Sequence, residues 1–423
     1  MVRAGPCRRR ATLDSTRPIG TMPVTGTVNR HVLRGAVQRV VSHRCWAFLA
    51  VIGVACHRTD PDCELEPEGS WGPPGSELVF FEEVAARLET PWSLAFLPEG
   101  DLPPGGDVLV TERAGRIRRV HDGALVDEPM ATVDVYAEDG GGLLGLAVDP
   151  GFEQTKALYA YETHEGVQGP RNRVSRYVVD GTEALRDAVI VDGIPTGAGH
   201  DGGRLWFGDD GLLYIGTGDA GVPDLAQDPD SLAGKILRVA PDVEPWVPEV
   251  FAWGLRDPVG LDGFGDGRVL VADRGPEGEV RNWEGYDEVD LASDGVDFGW
   301  PDVHACTEHD EDRAPLLTWS DPLGVGAVHR LVGGAIDAFE GDVFVTALEG
   351  EHLHRIRFVG GDAGTTPSVE HHDVFLAGSP PDGFGRLRDV VQGPDGFLYV
   401  TTSNCDGEGD CPSEGDKIIR IRL

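Results

Sequence analysis

One histidine in this chain stands where proton transfer could be done. His200 lies in the run Gly199-His200-Asp201-Gly202-Gly203-Arg204-Leu205, and Asp219 closes a second glycine-rich run, Gly216-Thr217-Gly218-Asp219. Imidazole takes up and returns a proton near neutral pH without severe tuning, and a carboxylate accepts hydrogen bonds from hydroxyls. The residues between must hold the two in place. Leu205-Trp206-Phe207 is a short apolar run, Asp210-Gly211 a strong turn signal, and Leu212 to Ile215 a returning apolar run. Together they predict a hairpin with His200 at one end and Asp219 at the other. Loops carried on a rigid sheet are the usual seat of chemistry. At this point a loop histidine with no chemical task remains the competing reading.

The hairpin is one copy of a repeat. Each copy has an apolar strand, a turn with Asp, Gly or Pro, a strand ending in a small or polar residue, and a basic-flanked strand. The other copies centre on Val108-Leu109-Val110-Thr111, Ala157-Leu158-Tyr159-Ala160, Val269-Leu270-Val271-Ala272, Val343-Phe344-Val345-Thr346 and Leu398-Tyr399-Val400-Thr401. Gly 59 and Pro 30 in 423 residues, with few long periodic apolar segments, favour short strands and tight turns. Six four-stranded copies predict an all-β, six-bladed β-propeller around a central channel over residues 77–423. Ring closure would pair an N-terminal strand, Leu78 to Phe81 or Glu83 to Leu88, with the last blade and so hide the open edges.

The net charge of −36 argues against nucleic acid or anionic lipid as a partner. The first 55 residues differ: nine arginines against one acidic residue, so the remainder carries −44. Arg34, Arg39 and Arg44 precede an apolar stretch from Cys45 to Ala55, too short to span a bilayer and shaped like an export signal. Gly53-Val54-Ala55-Cys56 resembles a bacterial lipoprotein box, with glycine in place of the usual leucine. Residues 1–55 are therefore read as a targeting segment, with those before about Met22 read as an over-long start and set outside the fold, Cys56 as the lipidated residue, and 56–76 as a polar linker. An ordinary signal peptide with Cys56 incidental is the alternative. Either places the protein outside the cytoplasm of a bacterium, in the periplasm or on a membrane surface, with membrane contact only through the anchor. Oxidising surroundings favour disulfides. Cys405 and Cys411 bracket a short glycine-containing loop that a bridge would close, which leaves Cys63 and Cys306 as the remaining pair.

Several motifs occur in a fixed order: Pro91-Trp92-Ser93-Leu94, Gly141-Gly142-Leu143-Leu144-Gly145, His200 with Gly202-Gly203-Arg204-Leu205, Gly216-Thr217-Gly218-Asp219, Ala252-Trp253-Gly254-Leu255-Arg256-Asp257-Pro258, Phe298-Gly299-Trp300-Pro301 and Arg386-Leu387-Arg388-Asp389-Val390. From about Leu88 to Leu423 this ordered set resembles the soluble quinoprotein sugar dehydrogenases, the glucose/sorbosone dehydrogenase family that uses pyrroloquinoline quinone (PQQ). The resemblance implies oxidation of an aldose at C1 to the lactone, with His200 as general base and hydride passing to PQQ. It implies that Arg256 lies beside the quinone oxygens with Asp257 next to it, and that Asp219 is a carboxylate on the sugar side. Arg386 and Arg388 would grip the cofactor carboxylates, a task for planar bidentate donors. It further implies a Ca²⁺ ion held by the Gly275 and Pro276 carbonyls and by Glu288, as suits a hard cation. An electron acceptor of unknown identity and a possible homodimer complete the expectation.

Three positions depart from the family pattern. Glu349 stands where the family has a lysine, Gly140 where it has Gln or Glu (Glu138 or Asp139 could reach the same space), and Asp257 where it has Asn. A carboxylate at 349 would repel an anionic cofactor, and an ionised Asp257 cannot donate a hydrogen bond. Hedgehog-interacting-protein-like domains share the propeller, so a non-catalytic lipoprotein that binds a glycan or protein is one alternative. A calcium-dependent lactonase-like hydrolase is another, although the Arg386 and Arg388 pair has no polyanion to hold in a lactone.

Overall fold

A computed structural model describes residues 63–98, 107–167, 169–197, 199–306, 314–361 and 365–422. The targeting segment and Cys56 lie outside the described residues. The body from residue 63 onward is almost entirely strands, arranged as six sheets. The innermost strands are Pro91–Phe96, Leu143–Val148, Leu205–Phe207, Pro258–Gly263, Val325–Arg330 and Leu387–Gln392. Each packs against the next, and the last returns to the first, so the sheets form the closed ring of a six-bladed propeller.

Closure follows the expected route. Phe80–Leu88 pairs antiparallel with the final strand, Asp416–Arg422, and completes the sixth blade. Three blades carry a fifth strand. In the first, Ala131–Thr132 pairs antiparallel with Arg116–His121. Val296–Asp297 adds parallel to Glu249–Trp253 in the third. Glu64–Glu66, within the stretch read as linker, adds parallel to Leu317–Trp319 in the fourth. The Cys63–Cys306 disulfide fixes the start of that added strand, and Cys405–Cys411 closes its own short loop.

The repeat has a shared turn. In the third blade Asp210 accepts from Leu212 N through Oδ1 (3.0 Å) and from Tyr214 OH through Oδ2 (3.0 Å). In the sixth, Asp395 takes Phe397 N (3.2 Å) and Tyr399 OH (3.0 Å). In the second, Asp149 takes Gly151 N (2.7 Å) and Tyr159 OH (3.1 Å). The aspartate replaces missing ladder bonds at the turn, and the tyrosine hydroxyl finds its partner there. Six apolar clusters fill the spaces between blades. One, for example, joins Leu109 and Ile117 to Leu143 and Leu158, and another joins Val271 and Leu261 to Ile236 and Phe251.

The channel is closed by a buried ion pair. Arg204 donates to Asp389 Oδ1 (2.9 Å), Val259 O (2.8 Å), Ser93 Oγ (3.4 Å) and Gly326 O (3.4 Å), with its guanidinium 4.8 Å from the Trp92 ring centre. Asp389 in turn accepts from Leu94 N (2.6 Å). One arginine from the third blade thus ties together the first, fourth, fifth and sixth.

Candidate active site

The residues singled out for chemistry gather at the end of the channel where the innermost strands begin. His200 precedes Leu205–Phe207, Arg256 and Asp257 precede Pro258–Gly263, and Arg386 precedes Leu387–Gln392. His200, Asp257, Arg386 and Arg388 line a cavity of about 430 Å³. His200 holds φ +56, the left-handed region that a β-carbon disfavours. Close packing keeps it there. Ala220 N donates to the His200 carbonyl (3.1 Å), and a Cβ on Gly218 would collide with that carbonyl, which explains the glycine. Gly202 N donates to Asp257 Oδ1 (2.8 Å) and ties the other side of the loop to the next blade.

The imidazole has a defined proton arrangement. Its Nδ1 is 2.7 Å from Asp219 Oδ1, and its Nε2 is 2.7 Å from Arg256 Nη2. A carboxylate only accepts and a guanidinium only donates, so Nδ1 carries the hydrogen and Nε2 holds the lone pair. Arg256 is itself held by Glu279 at Nε and by the Arg274 carbonyl at Nη1 (3.4 Å), with Glu277 3.7 Å from Nη2. Burial pulls the His200 pKa down most strongly, but the Asp219 hydrogen bond and the charges of Asp257 and Asp219 outweigh it despite Arg256. The net shift is upward from 6.5.

The structure relocates some of the expected residues. Asp219 stands behind His200 and does not line the cavity. It is fully buried, Oδ1 accepts from His200 and Gly221 N (2.8 Å), and Oδ2 accepts from Trp300 Nε1 (2.9 Å). Arg256, 2% exposed, meets His200 without lining the cavity itself. Arg386 and Arg388 do reach the cavity, but Arg386 already donates to Asp406 (3.0 Å) and Glu408 (2.9 Å). Arg388 Nε is enclosed and has no hydrogen-bond partner. Gly275 and Pro276 line an adjoining recess of about 180 Å³ together with Glu349, Asp287 and Arg274. Glu288 does not line it. Its carboxylate is enclosed elsewhere and accepts from Ala305 N (2.5 Å), because register pairs Glu288 with Asp273 inside the fourth sheet. Among the described residues, no group of three or more His, Cys, Asp or Glu is arranged to hold a metal ion.

The departures also acquire a structural account. Gly140 has φ +92, a conformation that side chains rarely adopt, and a Cβ there would sit 3.2 Å from Gly199 Cα and 3.3 Å from Asp201 Oδ2, a tight fit in which those neighbours would have to give. Asp139 lines the cavity in its place. Asp257 acts through an accepting oxygen, a task that Asp and Asn perform alike.

Sequence reasoning missed several residues. Trp300, noted only as part of a motif, orients Asp219, and Glu279 orients Arg256; neither has a sequence signal beyond a nearby partner. Asp201 lines the cavity with Oδ2 enclosed and unpartnered, and its carboxyl is pushed up to about 7, foremost by burial. Arg113 and Arg274 also line the cavity.

Residues 88–418 match the sequence profile of the family described as Glucose / Sorbosone dehydrogenase. The aldose sugar dehydrogenase YliI of Escherichia coli is 28% identical over 375 residues, covering 80% of this chain and 93% of that protein. A PQQ-bound aldose sugar dehydrogenase from Streptomyces coelicolor superposes with a TM-score of 0.67 at 32% identity, over 83% of this chain and 99% of that one. Mouse Hedgehog-interacting protein is 28% identical over 218 residues, covering 42% of this chain and 30% of that protein. With its six-bladed ring and a profile match spanning almost all of it, the chain belongs to the glucose/sorbosone dehydrogenase family.

Proposed function

We propose that this protein is a PQQ-dependent aldose dehydrogenase in which His200 is the base that removes the anomeric hydroxyl proton. The observation that carries the reading is the Asp219–His200–Arg256 chain, which leaves the Nε2 lone pair of His200 as the proton acceptor beside a cavity lined by arginines and carboxylates. Four arginines and six carboxylates line the cavity, and Arg388 Nε is an enclosed donor without an acceptor, so the arginines are the part of the wall suited to an anionic cofactor. PQQ, when bound, supplies a two-electron acceptor for the hydride that leaves C1.

The chain's own residues do the rest. Arg256 donates to Nε2, so drawing its guanidinium onto a substrate or cofactor oxygen bares the base. Nε2 then takes the proton of the anomeric hydroxyl as hydride departs from the same carbon, and the hemiacetal becomes the lactone. Asp219 holds Nδ1–H and stabilises the imidazolium. Arg256 stabilises negative charge developing on oxygen. Gly275 and Pro276 line the recess without Glu288, and no step is assigned to calcium. Export with a lipid anchor at Cys56 completes the proposal, supported by two disulfides of the kind that persist outside the cytoplasm.

The test is reconstitution of the purified protein with PQQ, with and without Ca²⁺, followed by dye reduction on a panel of aldoses. Sugar-dependent turnover that vanishes in His200→Ala is expected. PQQ binding without turnover on any aldose would refute the dehydrogenase reading and favour a binding propeller.

A further inference from the structure

Arg274 follows the second strand of the fourth blade, Val269–Asp273, and lines both the cavity with His200 and the recess with Glu349. Its Nε donates to Val325 O (2.9 Å), and its Nη1 stands 3.9 Å from Asp257 Oδ2. Its Nη2 is enclosed and has no hydrogen-bond partner. The same holds for Arg388 Nε, which comes from the sixth blade. Two arginines from different blades, each with one orphaned guanidinium nitrogen, therefore line the same cavity, where Arg386 is already engaged by Asp406 and Glu408. An enclosed charged donor without an acceptor is costly, and a buried unpaired polar group in a native fold calls for an occupant. Crowding of like charge sharpens the point. Arg388 is pushed down to about 9, first by burial and next by the charge of Arg274. The occupant that relieves both is an oligo-anion with carboxylates spaced to meet two arginines.

We propose that Arg274 is a cofactor-positioning residue that donates to a carboxylate of PQQ across the cavity from Arg388 and at the same time neutralises Glu349. The inference rests on the PQQ reading given above. It explains how an acidic residue at 349 is compatible with an anionic cofactor. Burial foremost and the charge of Asp287 next raise the Glu349 carboxyl, and Arg274 and Arg386 offset them only in part; the net shift is upward, toward the neutral acid that repels an anion less.

The experiment is an equilibrium titration of the full chain with PQQ, read by quinone absorbance and independent of turnover. It compares the wild type, Arg274→Gln, Arg274→Lys, Glu349→Gln and the Arg274→Gln/Glu349→Gln pair. Loss of one charge-assisted hydrogen bond predicts a Kd raised about 10- to 100-fold in Arg274→Gln. Lysine, a point charge without the planar fork, is expected to recover part of it. Glu349→Gln should tighten binding more in the Arg274→Gln background than alone, a coupling that a merely structural role would not produce. A wild type that fails to bind PQQ overturns the parent reading. A wild type that binds, with Arg274→Gln within about twofold of it, overturns only this inference. Should the glutamine variant not fold, Arg274→Lys decides: an unchanged Kd refutes the role, and a severalfold rise supports it.

Discussion

Replacing Asp219 by asparagine tests whether this buried carboxylate sets the proton arrangement of His200. Its side chain receives three N–H donors: His200 Nδ1 at 2.7 Å, Gly221 N at 2.8 Å and Trp300 Nε1 at 2.9 Å. Asparagine has one accepting oxygen and an NH₂ group that only donates. In one orientation the NH₂ meets Trp300; in the other it meets His200 and Gly221. Either leaves a buried donor unsatisfied, at about 1–3 kcal/mol. The second orientation is relieved if the imidazole moves its hydrogen to Nε2, and then Nε2 can no longer act as a base. The expected result is a fall in kcat of about 10²–10⁴-fold, the usual worth of general-base help. PQQ affinity should stay within about threefold, since Asp219 does not line the cavity. The assay is dye reduction at saturating PQQ and aldose across pH, paired with a PQQ titration. A variant with kcat within about fivefold of wild type and an unmoved pH profile would refute the positioning role of Asp219.

Three further outcomes follow from buried charge. Because the His200 pKa is raised above 6.5, the imidazole stays protonated to a higher pH, and kcat/KM should fall as pH drops through a value above 6.5; an acid limb at or below 6.5 would contradict the Asp219 contact. Arg204→Met leaves Asp389 as an unpaired buried charge, so denaturant unfolding should show a loss of about 3–5 kcal/mol, and a loss under about 1 kcal/mol would show that the channel pin is dispensable. In His354→Phe, a fully buried ring with two unpartnered nitrogens becomes apolar, and the melting temperature should rise. Burial foremost holds the His354 pKa well below 6.5, so below pH 6.5 the unfolded wild type takes up a proton that the fold refuses; the advantage of phenylalanine should widen as pH falls, and a gap independent of pH would refute this account.

The parts of the fold written in local pattern were legible in the sequence. The Asp210-Gly211 turn and its flanking apolar runs gave the third-blade hairpin, observed with Leu205 opposite Ile215. A repeat of short strands gave six blades, because each sheet must bury a face against the next. What the sequence could not reveal was direction. Spacing put Asp219 near His200 but could not say that its carboxylate turns behind the ring, because that depends on Trp300 arriving from a loop more than eighty positions away. Glu288 illustrates the same limit. Its neighbours Gly275 and Pro276 open to the recess, but the strand register turns Glu288 into the sheet opposite Asp273. The parallel addition of Glu64–Glu66 was equally hidden, because it depends on a partner strand from the fourth blade rather than on local periodicity.

The site's geometry and the ring's closure are held by the same few residues. His200 sits in a strained backbone conformation four residues before Arg204, and between them Gly202 N is tied to Asp257 and Gly203 N to Gly216 O (2.8 Å). A Cβ on Gly203 would press on Leu144 at 2.8 Å, so the segment fits only when the second blade is seated. Backbone strain of order 1–3 kcal/mol persists only where surrounding structure over-determines it. Here that structure is the closed ring: Arg204 clamps the segment to four other blades, and Gly218 admits the His200 carbonyl. Loosening the clamp should let His200 relax toward φ < 0 before the fold is lost, and its Nδ1 would then leave Asp219. Variants at Arg204 that still fold should therefore lose kcat more steeply than PQQ affinity, because Arg204 does not itself line the cavity and reaches it only through Trp92 and Val259.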